Sequence, residues 1–448
     1  MDLSLPSINH FSRSELNKKF SHINWNPWGS VSDVVGTVVE ARLPKSNLGM
    51  VVNIEVHSQE NPIMAEVVGF KNDKTLLLPF SNLSGISPGA KVKVIRMHDK
   101  VEVGDHLLGQ IVDPFLQPLQ ENFSQKIERT TAMCIDRDAP NPMNRVRIDT
   151  PFSLGIKAID SLLTFAQGQR VGIMAGSGVG KSVLLGMIAN GADADVNVIA
   201  LIGERGREVR EFIERDLGSE GLRRSVVIVV TSDQSPLLRI RGAKVATAVA
   251  EYLSARGKNV LLMMDSLTRV AQAQREVGLA VGEPPTAKGY PPSVFSLLPR
   301  LLERCGPQRE NEGSISGLYT VLVDGDDFND PMPDAARAIL DGHIQLSRSL
   351  ANKGHFPAID ITGSVSRVMR DIVSQEHWNL ALKLKELISV YNENFDYLQI
   401  GTYQAGSNPT MDLAIQLMPK IERFLRQASN EKSSLDEALM NLRSIFSQ

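Results

Sequence analysis

The chain has 448 residues, 42% of them hydrophobic, which at roughly 150 residues per domain is enough for about three domains with their own cores and excludes a small disulfide-stapled scaffold. Lys and Arg number 48 against 51 Asp and Glu, for a net charge of −3, and aromatic residues make up only 5%; neither bulk attraction to nucleic acid or anionic lipid nor a base-stacking platform fits this balance. Cys134 and Cys305 are far apart with no CxxC, no early apolar stretch resembles a signal peptide, and no run reaches the ~18 apolar residues of a spanning helix, which together predict a protein of the reducing cytoplasm that meets membranes only peripherally.

Residues 1–24 are polar, with Phe11, Leu16, Phe20 and Ile23 spaced as one face of a short amphipathic helix, either a partly ordered arm or a docking helix. From 25 to 95 the pattern turns to short β-type runs at 34–41, 50–56, 64–69, 75–78 and 91–95. Turn signals at Pro44, Asn72-Asp73 and Pro88-Gly89 separate them, and the spacing predicts a small β-barrel domain. Residues 96–150 carry Pro114, Pro118, Pro140 and Pro142 among few periodic segments and read as an extended connector packing on the core.

Between 151 and 370, continuous apolar runs at 171–175, 196–202, 226–230, 260–264 and 319–323 alternate with helical patterns at 181–190, 207–217 and 240–256. Strands buried on both faces read this way, so the segment is an α/β domain with helices on both sides of a parallel sheet. From 371 to 448 helices take over. Leu413, Leu417, Ile421 and Phe424 form one apolar stripe, and Leu435, Leu439, Leu442 and Phe446 form another behind a Ser434-x-x-Glu437 capping box.

The strongest chemical signal is Ala175-Gly176-Ser177-Gly178-Val179-Gly180-Lys181-Ser182, which follows an apolar strand and opens a helix. Glycines let backbone N–H groups close around phosphate oxygens, and the helix start adds its positive dipole end. Lys181 would reach the β and γ phosphates and the Ser182 hydroxyl would ligate Mg²⁺. The first position is Ala where the strict pattern has Gly, which leaves the later glycines to make the close approach.

Hydrolysis also needs a positioned metal and a water aimed at the γ-phosphorus. Asp265 ends the run 260–264, at the strand edge where ligands of open α/β sheets collect, and would hold the metal directly or through water; the competing reading is a cap for a helix starting at Ser266. Glu204 sits just past the run 196–202 and is the candidate for polarising the water. Arg205 and Arg207 beside it allow an ordinary ion pair instead, and Glu208 is the second candidate base. The acidic stretch 324–327 lacks the EF-hand spacing and reads as a solvated or interface loop. HExxH does not occur, which disfavours metalloprotease chemistry.

The strings AGSGVGKS, GERGREVREF, VLLMMDSLTRVAQAQRE, GEPPTAKGYPPSVFSLLPRLLERCG, VDGDDFNDPMPD, LDGHIQLSR and FPAIDITGSVSR, in order over roughly 25–448, resemble the type III export ATPases, above all their flagellar branch, and are similar to the subunits of rotary ATP synthases. The resemblance implies an N-terminal β-barrel, a central RecA-like P-loop parallel-sheet domain and a C-terminal helical domain, with ATP and Mg²⁺ as cofactors. It implies a nucleotide cradle of Gly176, Ser177, Gly178, Val179, Gly180, Lys181, Ser182 and Val183, and Phe356 and Tyr403 as the aromatic pair around adenine, Phe356 standing where Tyr is often found. Glu204 becomes the water-polarising carboxylate, Asp265 the acidic end of the second nucleotide-binding strand, Arg269 an active-site arginine and Arg367 the arginine that enters the neighbouring subunit's site.

A complete base site and a donated arginine on one chain lead to a homohexamer. The resemblance further implies a regulator at the N-terminal arm, a central stalk-like protein near the Pro-rich loop 282–292, a membrane export gate, and export substrates with their chaperones, all at the cytoplasmic side of the inner membrane. The runner-up is the ATPase of a virulence-associated injectisome. An RNA-translocating hexamer of the same core is disfavoured by the charge balance and the aromatic-poor barrel, and a noncatalytic nucleotide-binding subunit by Glu204.

Overall fold

A computed structural model of the chain describes residues 28–56, 61–97, 100–120, 129–308, 312–323, 325, 327 and 330–447. The predicted arm at 1–24 and part of the acidic stretch, Asp324 and Asp326, lie outside the described residues. The chain divides into two units, 1–98 and 99–448.

In the first unit β1 (Trp28–Val35), β2 (Val38–Arg42), β3 (Met50–Ile54), β4 (Ile63–Lys71), β5 (Lys74–Pro79) and β6 (Lys91–Met97) close an antiparallel barrel in the order β1-β2-β5-β4-β3-β6. Closure removes exposed strand edges. Alternate residues such as Ile63, Ala65 and Val67 of β4 point inward with Val39, Val52, Ile54, Leu77 and Val92. Asn72 and Asp73 both take positive φ, 47° and 61°, and make the tight β4–β5 hairpin turn that their side chains tolerate. The run predicted over 34–41 is itself a hairpin: Gly36, at φ 61°, turns the chain between β1 and β2, a break that apolar periodicity does not register.

In the second unit β7 (Lys100–Val103) pairs antiparallel with β9 (Thr131–Cys134). The main sheet contains β8 (Ile111–Val112), β10 (Arg170–Ala175), β11 (Val196–Glu204), β12 (Ser225–Thr231), β13 (Asn259–Asp265), β15 (Ser314–Leu322), β16 (Gly342–Leu346) and β17 (Ile359–Ser366), in the order β17-β16-β10-β15-β13-β11-β12-β8. β14 (Gly306–Pro307) adds a short antiparallel pairing to β15, β17 is antiparallel to β16, and the other neighbours are parallel. The five predicted apolar runs are β10, β11, β12, β13 and β15. Their continuous apolarity follows from burial on both faces: Val198, Ala200 and Ile202 of β11 pack into one core cluster and Ile199 and Leu201 into the other. The segment read as a connector does more than wrap, since β8 extends the sheet beside β12.

The helix predicted at 181–190 spans Lys181–Gly191, and that predicted at 240–256 spans Pro236–Ser254, starting early because Ser235 caps it and Pro236 occupies its first turn. The stretch 207–217 is an α-helix at Gly206–Glu211 that continues as a π-helix at Phe212–Leu217. The C-terminal part carries helices Gln375–Glu393, Phe395–Gln399, Pro409–Leu425 and Leu435–Phe446, the last with the Ser434–Glu437 capping box formed. Its buried faces are rotated from the predicted stripes: Met411, Ala414, Leu417, Met418, Ile421 and Phe424 are buried on one helix and Ala438, Leu442 and Ile445 on the other, while Leu413, Leu435, Leu439 and Phe446 are only half-buried. Among the described residues no helix is long and apolar enough to cross a membrane.

Candidate functional site

β10 ends at Ala175 and the next helix begins at Lys181, so residues 176–180 form a loop at the carboxyl edge of the sheet. Gly178 (φ 78°) and Gly180 (φ 90°) take the left-handed conformation that glycine adopts without penalty. No side chain caps the helix start, which leaves its N–H groups available to an anion. Val179 is buried in the core, so it offers the cleft only its backbone, whereas Val183 is exposed at the cleft wall.

Parallel pairing brings the acidic groups to this loop. Leu201 of β11 lies opposite Asp265 of β13, so Glu204, three residues on, and Asp265 share the same sheet edge. The Lys181 Nζ stands 2.5 Å from Asp265 Oδ1 and 3.4 Å from Glu204 Oε1. Thr320 of β15 donates its hydroxyl to the same Asp265 oxygen at 2.6 Å. The three charged side chains are 13%, 7% and 15% exposed for Lys181, Asp265 and Glu204. Burial pushes the Glu204 carboxyl up to about 7; the Asp265 charge adds to that rise and Lys181 opposes it. Burial works against the Lys181 ammonium, but Asp265 and Glu204 outweigh it and hold its pKa above the ordinary lysine value.

The alternatives left open by the sequence resolve. Arg205 pairs with Glu208 at 3.5 Å and Arg207 with Glu211 at 2.7 Å, so the partner of Glu204 is Lys181 and not a neighbouring arginine. Ser266 itself caps the helix Leu267–Ala280 by accepting from the Arg269 N–H, which frees the Asp265 carboxylate from that task. Arg269 lays its stem over Gly203, where a β-carbon would come within 2.8 Å of it, and donates from Nη1 to Gln272 Oε1 at 2.9 Å while its buried Nε has no hydrogen-bond partner.

Phe356 comes to the cradle as well: its ring lies 3.4 Å from where a β-carbon on Gly180 would stand, and the residue is 46% exposed. Tyr403 is engaged elsewhere, its hydroxyl donating to Asp412 Oδ1 at 2.9 Å, and no ring contact joins it to Phe356 among the described residues. Arg367 is excluded from its own cleft by register. Ser366 of β17 lies opposite Gly342, the first residue of β16, and the parallel pairing of β16 with β10 puts that end beside the start of β10. The full length of β10, ~20 Å at 3.3 Å per residue, separates Arg367 from the loop at the other end. There its Nη2 donates to the Arg337 carbonyl at 3.0 Å.

The cleft has a volume of about 490 Å³ and is lined by the 175–183 loop, Glu204, Glu208, Arg269 and Val323. Ser182, Glu204, Glu208 and Asp265 all line an adjoining recess. Arg215, on the π-helix, also lines the cleft, and Thr320 braces Asp265; neither was singled out from sequence. A Thr within the apolar run 319–323 was the available signal for Thr320.

A glycine loop between strand and helix, facing two carboxylates across the carboxyl edge of a parallel sheet, defines a P-loop nucleotide-binding protein. Residues 155–366 match the ATP synthase alpha/beta family, nucleotide-binding domain; residues 31–95 match the beta-barrel domain of that family and residues 373–444 the T3SS EscN ATPase C-terminal domain. The flagellum-specific ATP synthase of Bacillus subtilis is 49% identical over 94% of this chain and 96% of its own length, and the type 3 secretion system ATPase of Xanthomonas euvesicatoria 47% identical over 93% and 94%. The assembled ATPase EscN of the enteropathogenic E. coli type III secretion system superposes with a TM-score of 0.89 at 46% identity, covering 94% of this chain and 100% of that one. The chain belongs to the ATP synthase alpha/beta family, in its branch of flagellum-specific ATP synthases and type 3 secretion system ATPases.

The bond from Thr320 is expected to hold Asp265 in place. Thr320→Val keeps the shape but removes a donor from a buried carboxylate, and should lower folding stability by about 1–2 kcal/mol in chemical denaturation of the nucleotide-free protein; an unchanged midpoint would show that Lys181 alone fixes Asp265.

Proposed function

We propose that this chain hydrolyses ATP with Mg²⁺ in a ring of six identical copies and so energises the export of flagellar proteins. The observation that carries the reading is the buried Lys181 held between Asp265 and Glu204 beside an open P-loop. An incoming triphosphate competes for the ammonium, which turns to the β and γ phosphates and releases both carboxylates. Ser182 and Asp265 would hold Mg²⁺, which neutralises phosphate charge when bound. Glu204 then accepts a hydrogen bond from the attacking water and polarises it. Arg269 faces the phosphates from the Gly203 side, and Phe356, with Tyr403, offers a π face to adenine. Residues 151–370 are the catalytic domain and 371–448 the helical domain.

Arg367 lies too far from its own P-loop to serve it, so it would complete a neighbour's site, where its charge stabilises the phosphoryl transition state. The assembled EscN supports the ring, and its complex with the central stalk EscO, which superposes with a TM-score of 0.86 at 46% identity, supports a stalk-like partner; its place near the loop 282–292 is part of the proposal. A regulator at the N-terminal arm, the membrane export gate and chaperone-bound substrates complete the partners, at the cytoplasmic side of the inner membrane; nucleic acid is not among them. The flagellar reading rests on relatives such as those of Bacillus subtilis and Salmonella typhimurium, the latter 46% identical over 94% of this chain. The Xanthomonas relative and EscN favour a second reading, the ATPase of an injectisome.

Glu204→Gln should bind ATP normally and lose turnover by about 10²–10⁴-fold. A carboxyl raised to about 7 is protonated below that pH and ionised above it, so kcat/KM of the wild-type protein should climb through neutral pH and level off at alkaline pH, while the residual activity of Glu204→Gln stays flat. Identical profiles would assign the base to another group.

Arg367→Ala should cost about 10³-fold or more in turnover. Mixing it with Glu204→Gln should restore part of the activity, because junctions then form in which one copy supplies the base and the other the arginine. No recovery on mixing would contradict a shared site.

Expression in a strain lacking its flagellar export ATPase should restore motility, and expression in an injectisome ATPase mutant should not restore secretion. The reverse pattern would assign the chain to the second reading.

A further inference from the structure

We propose that Arg348 is a positioning residue for the P-loop, one that aims a backbone N–H at the nucleotide's phosphates. The inference rests on the reading of the cleft as an ATP site and adds a residue that lies outside the cleft lining.

Met174 of β10 pairs with Gln345 of the parallel strand β16, so the residues that follow each strand run on side by side. Three positions beyond each pair stand Ser177 and Arg348. Arg348 opens the short helix Arg348–Asn352, which Ser347 caps, and its Nη1 donates to the Ser177 carbonyl at 3.1 Å.

The consequence follows from peptide geometry. In a trans peptide the C=O and the following N–H point in opposite directions within one plane. A guanidinium that fixes the Ser177 oxygen on the outer side of the loop thereby turns the Gly178 N–H toward the inner side, where phosphate binds. It also polarises that peptide, making its N–H a stronger donor. Gly178 needs such a hold: it stands at φ 78°, and among the described residues there is open space where a β-carbon would stand, so no packing on that side fixes the plane of its peptide.

The same segment carries Phe356, whose ring meets the loop at Gly180, so the P-loop is braced on both sides of Gly178. The brace is rooted in turn. The Phe356 carbonyl accepts from the Gln427 N–H at 3.1 Å, and the Lys353 ammonium lies 5.7 Å from the centre of the Phe395 ring.

The test uses the full-length protein with Arg348→Ala and Arg348→Lys, titrated with a fluorescent ATP analogue and Mg²⁺, alongside steady-state kinetics and thermal melting. Arg348→Ala should raise Kd and KM about tenfold, the scale of one charge-assisted hydrogen bond, with kcat within about threefold and an unchanged melting temperature. Arg348→Lys, which keeps a cationic donor, should recover most of the affinity. Wild-type Kd in Arg348→Ala would overturn the proposal, as would equal losses in both variants together with a lowered melting temperature, which would mark a structural role. Failure of the wild-type protein itself to bind the analogue would instead overturn the ATP reading on which the proposal rests.

Discussion

One ammonium group between two carboxylates organises the catalytic edge of this molecule. Lys181 comes from the helix after β10, Glu204 from the end of β11 and Asp265 from the end of β13, and the parallel pairing of the sheet delivers all three to one place. Burying two carboxylates side by side without a cation would be strongly unfavourable. Lys181 therefore has a structural task in this arrangement, and in the proposed mechanism a chemical one once a phosphate draws it away and leaves behind two negative groups that need a new partner. The rise of the Glu204 carboxyl to about 7 reports the same tension, with burial and Asp265 pushing against a single shared positive charge.

β17 extends that logic past the boundary of the chain. Phe356 precedes its first residue, Ile359, and reaches the P-loop, while Arg367 follows its last residue, Ser366, at the opposite edge of the sheet. Eight residues of strand span ~26 Å, so in the proposed ring one strand carries an aromatic contact to its own nucleotide at one end and an arginine to a neighbour's at the other. Its antiparallel direction is what puts the start of the strand, after Phe356, at the P-loop edge and its end, before Arg367, at the far edge.

The parts of the fold legible in the sequence were those where one physical requirement acts alone. Strands buried on both faces read as unbroken apolar runs, and the glycine loop with Lys181 and Ser182 is set by the shape of phosphate. β16 and β17 escaped because they are not continuously buried: Gly342, Ile344 and Leu346 are buried while His343 and Gln345 between them are not, and β8 escaped because it is only two residues long. Glu204 and Asp265 were placed by their position just past apolar strands, but the choice of partner was not, because Lys181 is adjacent only in three dimensions. Arg367, Phe356 and Tyr403 carried no local signal and entered through resemblance. Arg348 and Thr320 reach the site through bonds to residues remote in sequence, Ser177 and Asp265, and composition holds no trace of such bonds.

The fate of the arginines around Glu204 shows why a lysine holds the central place. Arg207 and Arg210 pair along the exposed helix face with Glu211 and Glu214, one turn ahead of each, and Arg205 turns to Glu208. Each such surface pair contributes little to stability. Their effect on the site is larger than their energy, because they keep rigid, permanently charged forks away from Glu204. A guanidinium locked onto that carboxylate would hold it as a low-pKa anion with its oxygens occupied. A flexible ammonium that a phosphate can compete for leaves a carboxylate poised near neutrality, which in the proposed mechanism takes up a water's hydrogen bond once the nucleotide has claimed the lysine.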